Sequence, residues 1–405
     1  MSINVESLYR DLHSNPELSF QEHRTAALVL EHLTALGLEV HSGIGGTGVV
    51  GVLKNGSGPT VLLRADMDGL PVLEATGLDY ASVAVGTDSD GQPVPVMHAC
   101  GHDVHVTCLL GAVEKMVAEV ATWSGTLIAL FQPAEEAGGG AAAMVADGLY
   151  EKVPQPDVVL GQHVAPFPAG WLGLHAGVAM AAADSLSITL HGVGGHGSRP
   201  ETTVDPVLLA AATTMRLQGI ISRELASSDQ AVLTVGQLHA GTKNNVIASE
   251  ATLGLSLRTF DEGVRATVLG AIERVVNGEA AASGSPRQPV ITLEEHFPIT
   301  FNEPEASARV AAALSARFGA KNLIDPGPVS GSEDVGVLAT AAKVPLVYWL
   351  LGGAAPELFA DYATTGRMPE NNPSNHSPYF APLIRPTLDV GIDALVTAAR
   401  AWLAN

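Results

Sequence analysis

The sequence predicts an α/β fold, a larger α/β domain interrupted by a smaller α+β one, and three observations lead there. In the first half, short apolar runs of strand length alternate with stretches of helical periodicity. From about Ser185 to Glu295 the rhythm changes to β-α-β-β-α-β, the split order of ferredoxin-like domains. At 405 residues the chain also exceeds the size at which a single core keeps growing, so two domains are expected. The expected boundaries are 1–184 and 296–405 for the larger domain and 185–295 for the inserted one.

Each element has a local reason. Val5 to His13 and Glu22 to Leu36 carry apolar residues at helical spacing, with Ser14-Asn15-Pro16 as the break and Gly37 as the stop. Val49 to Leu53 and Thr60 to Arg64 are β-type runs, and Asn55-Gly56-Ser57-Gly58-Pro59 between them predicts a hairpin-like turn. His102 to Val120 reads as a helix, and Thr126 to Phe131 and Val158 to Gly161 read as buried strands. In the inserted segment, Leu186 to Leu190, Ala231 to Leu238, Ala251 to Phe260 and Val290 to Glu294 read as strands. Helices are expected there over Val204 to Arg223 and Glu262 to Asn277. The chain then returns to helices and one apolar strand, Val344 to Leu351, before a closing helix from Leu383 to Leu403.

Composition narrows the classes of function. Hydrophobic residues make up 46% and charged residues 16%, the balance of a folded globular chain. Twenty-one basic against 42 acidic residues give a net charge of −21, a field that repels nucleic acid and anionic lipid. Neither partner is expected, although one local arginine or lysine suffices for a small anionic substrate. Met1 to Arg10 has neither a basic nor an apolar signal region, and no apolar run reaches membrane-spanning length. With Cys100 and Cys108 as the only cysteines, a cytoplasmic protein with reduced thiols is expected.

The residues able to do chemistry cluster at predicted strand ends. In PVMHACGHDVHVT, Cys100 and His102 flank Gly101, a spacing at which thiolate and imidazole can turn towards one divalent ion. By itself the pair reads as readily as a buried thiol and a helix-capping histidine. Asp66 and Asp68 follow the Thr60 to Arg64 run and serve equally as turn formers or as groups of a ligand site. Glu135 and Glu136 follow an apolar strand and precede three glycines, so one carboxylate can bind metal while the other faces substrate. His163 follows the Val158 to Gly161 run, and His376 sits between two prolines in Pro373-Ser374-Asn375-His376-Ser377-Pro378. Together Cys100, His102, Glu136, His163 and His376 form the set that a catalytic metal site requires.

Over nearly its whole length the chain resembles the M20 metallopeptidase family. The likeness is to its amidohydrolase branch of aminoacylases, hippurate hydrolases and hydrolases of auxin–amino acid conjugates. It rests on HSNPELSFQEHRTA, RADMDGLP, MHACGHDVH, FQPAEEAGGGAAAM, GQHVAPFPAG, GVGGHGSRP, GTKNNVI, SGSED and PSNHSP, in that order. One departure is Ala248, where the family often has proline. The resemblance implies a metal-binding catalytic domain and an inserted ferredoxin-like lid that also mediates a homodimer. It implies two divalent ions, zinc or manganese, with cobalt or nickel as further candidates for a mixed S, N and O shell.

Cys100 would be shared between the ions, His102, Glu136, His163 and His376 would complete the ligands, and Glu135 would be the general base. Asp66 and Asp68 would support the ligands from behind. In the lid, His196 would donate to a developing oxyanion, and Asn245 and Arg258 would bind the substrate carboxylate or support that oxyanion. The implied reaction is hydrolysis of an N-acyl amino acid to a carboxylic acid and a free amino acid. A dipeptidase or carboxypeptidase, and an N-carbamoyl amino acid hydrolase, would use the same machinery. A non-catalytic metal-binding scaffold would have no need of Glu135.

Overall fold

A computed structural model describes residues 3–362 and 369–403. The apolar runs at Thr60–Asp66, Gly125–Gln132, Val158–Pro168 and Leu346–Ala354 are buried on both faces, which is why they lack polar alternation and stand at the centre of a sheet. That sheet has eight strands, in the order Glu39–Ile44, Gly48–Asn55, Gly125–Gln132, Thr60–Asp66, Val158–Pro168, Leu346–Ala354, Leu172–Gly173 and Leu323–Ile324. Its central pairings are parallel, while Glu39–Ile44, Gly48–Asn55 and Gly125–Gln132 pair antiparallel. The helices Val5–Ser14, His102–Ala118 and Ile384–Arg400 pack around this core, which takes Val61, Leu63 and Ala65 from the Thr60–Asp66 strand.

Two expectations need correction. Gly48–Asn55 and Thr60–Asp66 are not a hairpin, because Gly125–Gln132 lies between them and pairs with both. The Asn55 to Pro59 segment is a turn, but burying Thr60–Asp66 on both faces favours parallel neighbours over its own sequence neighbour. The strand carrying His163 also runs on to Pro168, so this histidine lies inside a strand rather than after one.

The described residues form two compact units. One comprises Met1–Ala179, Thr300–Pro328 and Asp334–Asn405, and the other Met180–Ile299 and Val329–Glu333. The second unit holds a four-stranded antiparallel sheet in the order Ala231–Ala240, Glu250–Thr259, Ala182–His191, Val290–Phe297. Numbered along the chain that is 2-3-1-4, with the helices Pro206–Glu224 and Glu262–Ala282 as the two crossovers, so this unit is ferredoxin-like. Both helices start on aspartate caps, Asp205 accepting from Val207 N–H and Asp261 from Val264 N–H. Their apolar faces, including Leu209, Leu217, Ile272 and Val276, cover Leu186, Ile188, Leu253 and Leu255 of the sheet.

One buried histidine, paired with two carboxylates, joins three segments of the first unit. His13, at the end of the Val5–Ser14 helix, bonds Asp103 Oδ2 through Nδ1 at 2.6 Å and Glu74 Oε1 through Nε2 at 3.1 Å. Burial alone would favour the neutral ring, but the two carboxylates hold its pKa at about 9, up from 6.5. A raised folded value contributes stability that is complete below pH 6.5 and lost as pH climbs through about 9. We expect the first unit to lose roughly 3 kcal/mol by this route across that interval, read from urea unfolding at pH 6.5 and 9.5. His13→Gln should flatten the profile; parallel profiles for the two proteins would remove His13 as the cause.

Candidate metal centre

The centre is built at the carboxyl ends of the parallel strands, where an open α/β sheet leaves room for ligands. Gly101 makes its first turn possible. It caps the His102–Ala118 helix at φ +83°, and a side chain there would collide with Val164 Cγ1, so Cys100 and His102 can fold back towards each other only across a glycine. Glu135 and Glu136 follow the Gly125–Gln132 strand through Ala134, which is held at φ +48°. His376 itself stands at φ +70°, its loop tied down by His376 N–H to Ala99 O at 2.8 Å.

These segments converge. Cys100, His102 and His163 present ligand atoms within 4.8 Å of one another, and so do Cys100, Glu136 and His376. Cys100 is common to both groups. Its sulfur lies 3.4 Å from His163 Nε2, and Glu136 Oε1 lies 3.4 Å from His376 Nε2. His102, Glu135 and Glu136 make a further close set, with His102 Nε2 at 3.9 Å from Glu135 Oε2 and 3.8 Å from Glu136 Oε1. The structure thus brings together all five residues expected as ligands, with Glu135 beside them. His376 is the exposed member, its side chain 57% accessible, so the cluster meets solvent on that side.

The aspartates stand directly behind the histidines. His102 Nδ1 donates to Asp68 Oδ1 at 3.1 Å, which turns Nε2 into the cluster, and Asp68 Oδ2 accepts from Glu136 N–H at 3.0 Å and from Ser19 Oγ at 2.7 Å. Asp66 accepts a short hydrogen bond from His105 Nδ1 and, at 2.6 Å, one from the buried Arg64 guanidinium. His105 Nε2 accepts from Val164 N–H at 2.8 Å, and Val164 O accepts from His163 Nδ1, also at 2.8 Å, leaving His163 Nε2 to face Cys100.

Charge and protonation bear on what this cluster can hold. Burial pushes the Cys100 thiol well above its usual range, and Glu136, Glu135 and Asp66 push the same way, so a thiolate forms there only against a compensating positive charge. Burial would lower His102, yet Asp66, Asp68 and Glu136 hold it at about 10; the field that retains that proton also attracts a cation. Burial, followed by the neighbouring His105, keeps His163 neutral, the form that ligates. His102 Nε2 and Glu136 Oε1 are buried and make no hydrogen bond among the described residues. A mixed sulfur, nitrogen and oxygen donor set with orphaned inward-facing atoms fits a divalent cation.

The second unit holds the remaining expected residues. His196 and Asn245 are neighbours there: Gly195–His196 pairs antiparallel with Val246–Ile247, and Gly197 N–H bonds Asn245 O at 2.9 Å. Arg258 lies in the Glu250–Thr259 strand with its guanidinium 2.5 Å from Ser332 Oγ, and burial lowers its pKa.

Residues 62–364 match the family described as Peptidase family M20/M25/M40. The chain belongs to that family. Hippurate hydrolase of Campylobacter jejuni is 40% identical over 341 residues, covering 84% of this chain and 85% of the relative. Thermostable carboxypeptidase 2 of Saccharolobus solfataricus is 37% identical over 353 residues, covering 86% and 85%. Among solved structures, the Bacillus subtilis YXEP protein, a dinuclear metal-binding peptidase of the M20 family, superposes with a TM-score of 0.75. It is 27% identical, over 98% of this chain and 96% of that one. This M20 protein is a hydrolase acting on amide bonds, in the amidohydrolase branch.

Beyond Asp66 and Asp68, two further residues behind the cluster, His105 and Arg64, were missed. His105 stands three residues after His102, one turn along the same helix face, and that spacing was the available signal. Arg64 was visible as a lone charge inside an apolar strand. Its partners Gln132, Asp334 and Tyr348 come from distant segments and left no local mark. Asp68→Ala should lower metal affinity about 10- to 100-fold, because His102 loses the acceptor that orients it. Chelator competition on the purified protein measures this; unchanged affinity would mean that Asp68 does not support His102.

Proposed function

We propose that this M20 hydrolase cleaves the amide of N-acyl amino acids, releasing a carboxylic acid and a free amino acid. The observation carrying the proposal is the pair of ligand groups that share Cys100 while Glu135 stands next to them. Cys100, His102, Glu136, His163 and His376 would hold two divalent cations, as the name of the YXEP protein describes for that relative. When bound, such a pair supplies acidity to a water and polarises the substrate carbonyl. Zinc and manganese suit the donor set, as do cobalt and nickel.

Glu135 acts as the base. Its carboxylate takes a proton from the water as the oxygen bonds to the carbonyl carbon. It then returns that proton to the amide nitrogen, the C–N bond breaks, and the amine leaves neutral rather than as an amide anion. The donors for the substrate are assigned to the second unit. His196 Nδ1 accepts from Ser198 N–H at 3.1 Å, so the neutral ring carries its proton on Nε2, a donor suited to an oxyanion. Arg258 and Asn245 would bind the substrate carboxylate, Arg258 with two parallel donors. We assign the same unit a homodimer contact. Among the described residues no helix is long and apolar enough to cross a membrane, and both cysteines are free thiols, which suits a reducing cytoplasmic setting.

A second reading, a carboxypeptidase, has a relative of that name in its favour. Turnover of N-acetyl, N-benzoyl and longer N-acyl amino acids, dipeptides and N-carbamoyl amino acids, with and without chelator, separates them. Preference for dipeptides would replace the first reading with the second, and an absence of chelator-sensitive hydrolysis throughout would defeat both. Glu135→Gln should lower kcat by 10²- to 10⁴-fold, the usual scale for a lost general base, while metal content by elemental analysis is unchanged. Loss of metal in that variant would exchange the roles of Glu135 and Glu136.

A further inference from the structure

Two residues in the left-handed region donate their backbone N–H groups to one buried oxygen. Phe20 stands at φ +62° and Ala134 at φ +48°, and Glu22 Oε1 accepts from both, at 3.0 Å and 2.8 Å. The other oxygen of Glu22 accepts from Thr47 Oγ at 2.5 Å. Glu22 is fully buried, far from the metal ligands in sequence, and belongs to the turn that opens the His23–Ala35 helix.

Ala134 directly precedes Glu135. A non-glycine residue at this φ persists only where its surroundings over-determine it. The turn is fastened on both sides of Glu135, by Glu22 at Ala134 N–H and by Asp68 at Glu136 N–H, 3.0 Å away. Asp68 also holds His102, so that fastening is shared with the ligands. The Glu22 fastening contacts no ligand. We propose that Glu22 is a positioning residue for Glu135: by holding Ala134 left-handed it aims the carboxylate that moves the proton. The proposal rests on Glu135 being the base and adds the element that sets its direction.

Burial, together with the charge of Asp68, raises Glu22 to about 7, against the opposing pull of its bonds from Thr47 and from Ala134 N–H. An amide in its place would still accept from both N–H groups and could donate to Thr47 Oγ. A methyl group would leave Ala134 N–H without a buried acceptor.

The test compares Glu22→Ala, Glu22→Gln and Glu135→Gln as metal-loaded full-length proteins, on the fastest substrate of the panel. Glu22→Ala should lower kcat about ten- to a hundredfold, as a misplacement near 1 Å does, with KM changed by less than about threefold and metal content unaltered. The Ala134 amide should exchange with deuterium faster in the same variant. Glu22→Gln should recover kcat to within about threefold of the parent. Wild-type kcat in Glu22→Ala, or a loss proportional to lost metal, overturns the positioning role. Should Glu22→Ala not fold, Glu22→Asp keeps the carboxylate but withdraws it by one methylene, and wild-type kcat there overturns the proposal equally. Full turnover in Glu135→Gln defeats the base reading and the proposal with it; an inactive Glu135→Gln beside a fully active Glu22→Ala defeats the positioning alone.

Discussion

A buried arginine governs the arrangement of charge in the first unit. Arg64 is enclosed on the Thr60–Asp66 strand and donates to Asp66 at 2.6 Å and Gln132 at 2.9 Å, with Asp334 at 3.2 Å. Removing one partner of such a buried set typically costs about 3–5 kcal/mol, because the remaining charge is stranded. The geometry follows from that constraint. Gln132 ends the strand that leads to Glu135, and Asp334 also accepts from Ala141 N–H at 2.9 Å, just beyond the glycines after Glu136. One guanidinium therefore fixes both ends of the segment that carries the two glutamates.

From Asp66 the constraint passes to the histidines. Because Val164 N–H donates to His105 Nε2, the proton of His105 lies on Nδ1, directed at Asp66. Val164 O in turn accepts from His163 Nδ1, and so the nitrogen left for a metal is Nε2. Asn375 donates to the same carbonyl and to Cys100 O, both at 3.1 Å, next to His376 in the chain. His163 and the Cys100 loop are thus oriented by backbone and amide partners that form no part of any recognisable ligand spacing, while His102 relies on the carboxylate of Asp68.

This explains which features the sequence made legible. The five residues expected as ligands stood out because a metal demands particular atom types, and Cys100, His102, Glu136, His163 and His376 each sit in a loop, in a strand or at a helix start with its own local signature. The ferredoxin-like order was readable because its period changes are local. The sheet order was not: which strand lies beside Thr60–Asp66 depends on burial of both its faces, a property of the assembled molecule. Glu22 and Asp334 were silent for the same reason, since an acidic residue looks identical in sequence whether solvated or locked against a backbone N–H. His105 is the intermediate case, visible by helical spacing from His102 yet without a role until Asp66 and Val164 close around it.

The strained positions show how rigidity is distributed around the centre. Among the described residues only four non-glycines have positive φ, and two of them, Ala134 and His376, adjoin or supply the groups proposed to work there. Each is held from outside: Ala134 by Glu22, His376 by Ala99 O through its own N–H and by Asn375 beside it. His102 and His163 sit on regular elements, where a helix or strand already dictates direction. His376 and Glu135 lie on loops, where a direction must be imposed, and it is there that left-handed backbone and buried acceptors occur together. A loop ligand also keeps one side of the cluster open to solvent, which regular elements packed on all sides would not allow. Placing the strain at those two residues lets the centre be both accessible and pre-aimed, so that binding a substrate need not reorganise the carboxylate proposed as the base.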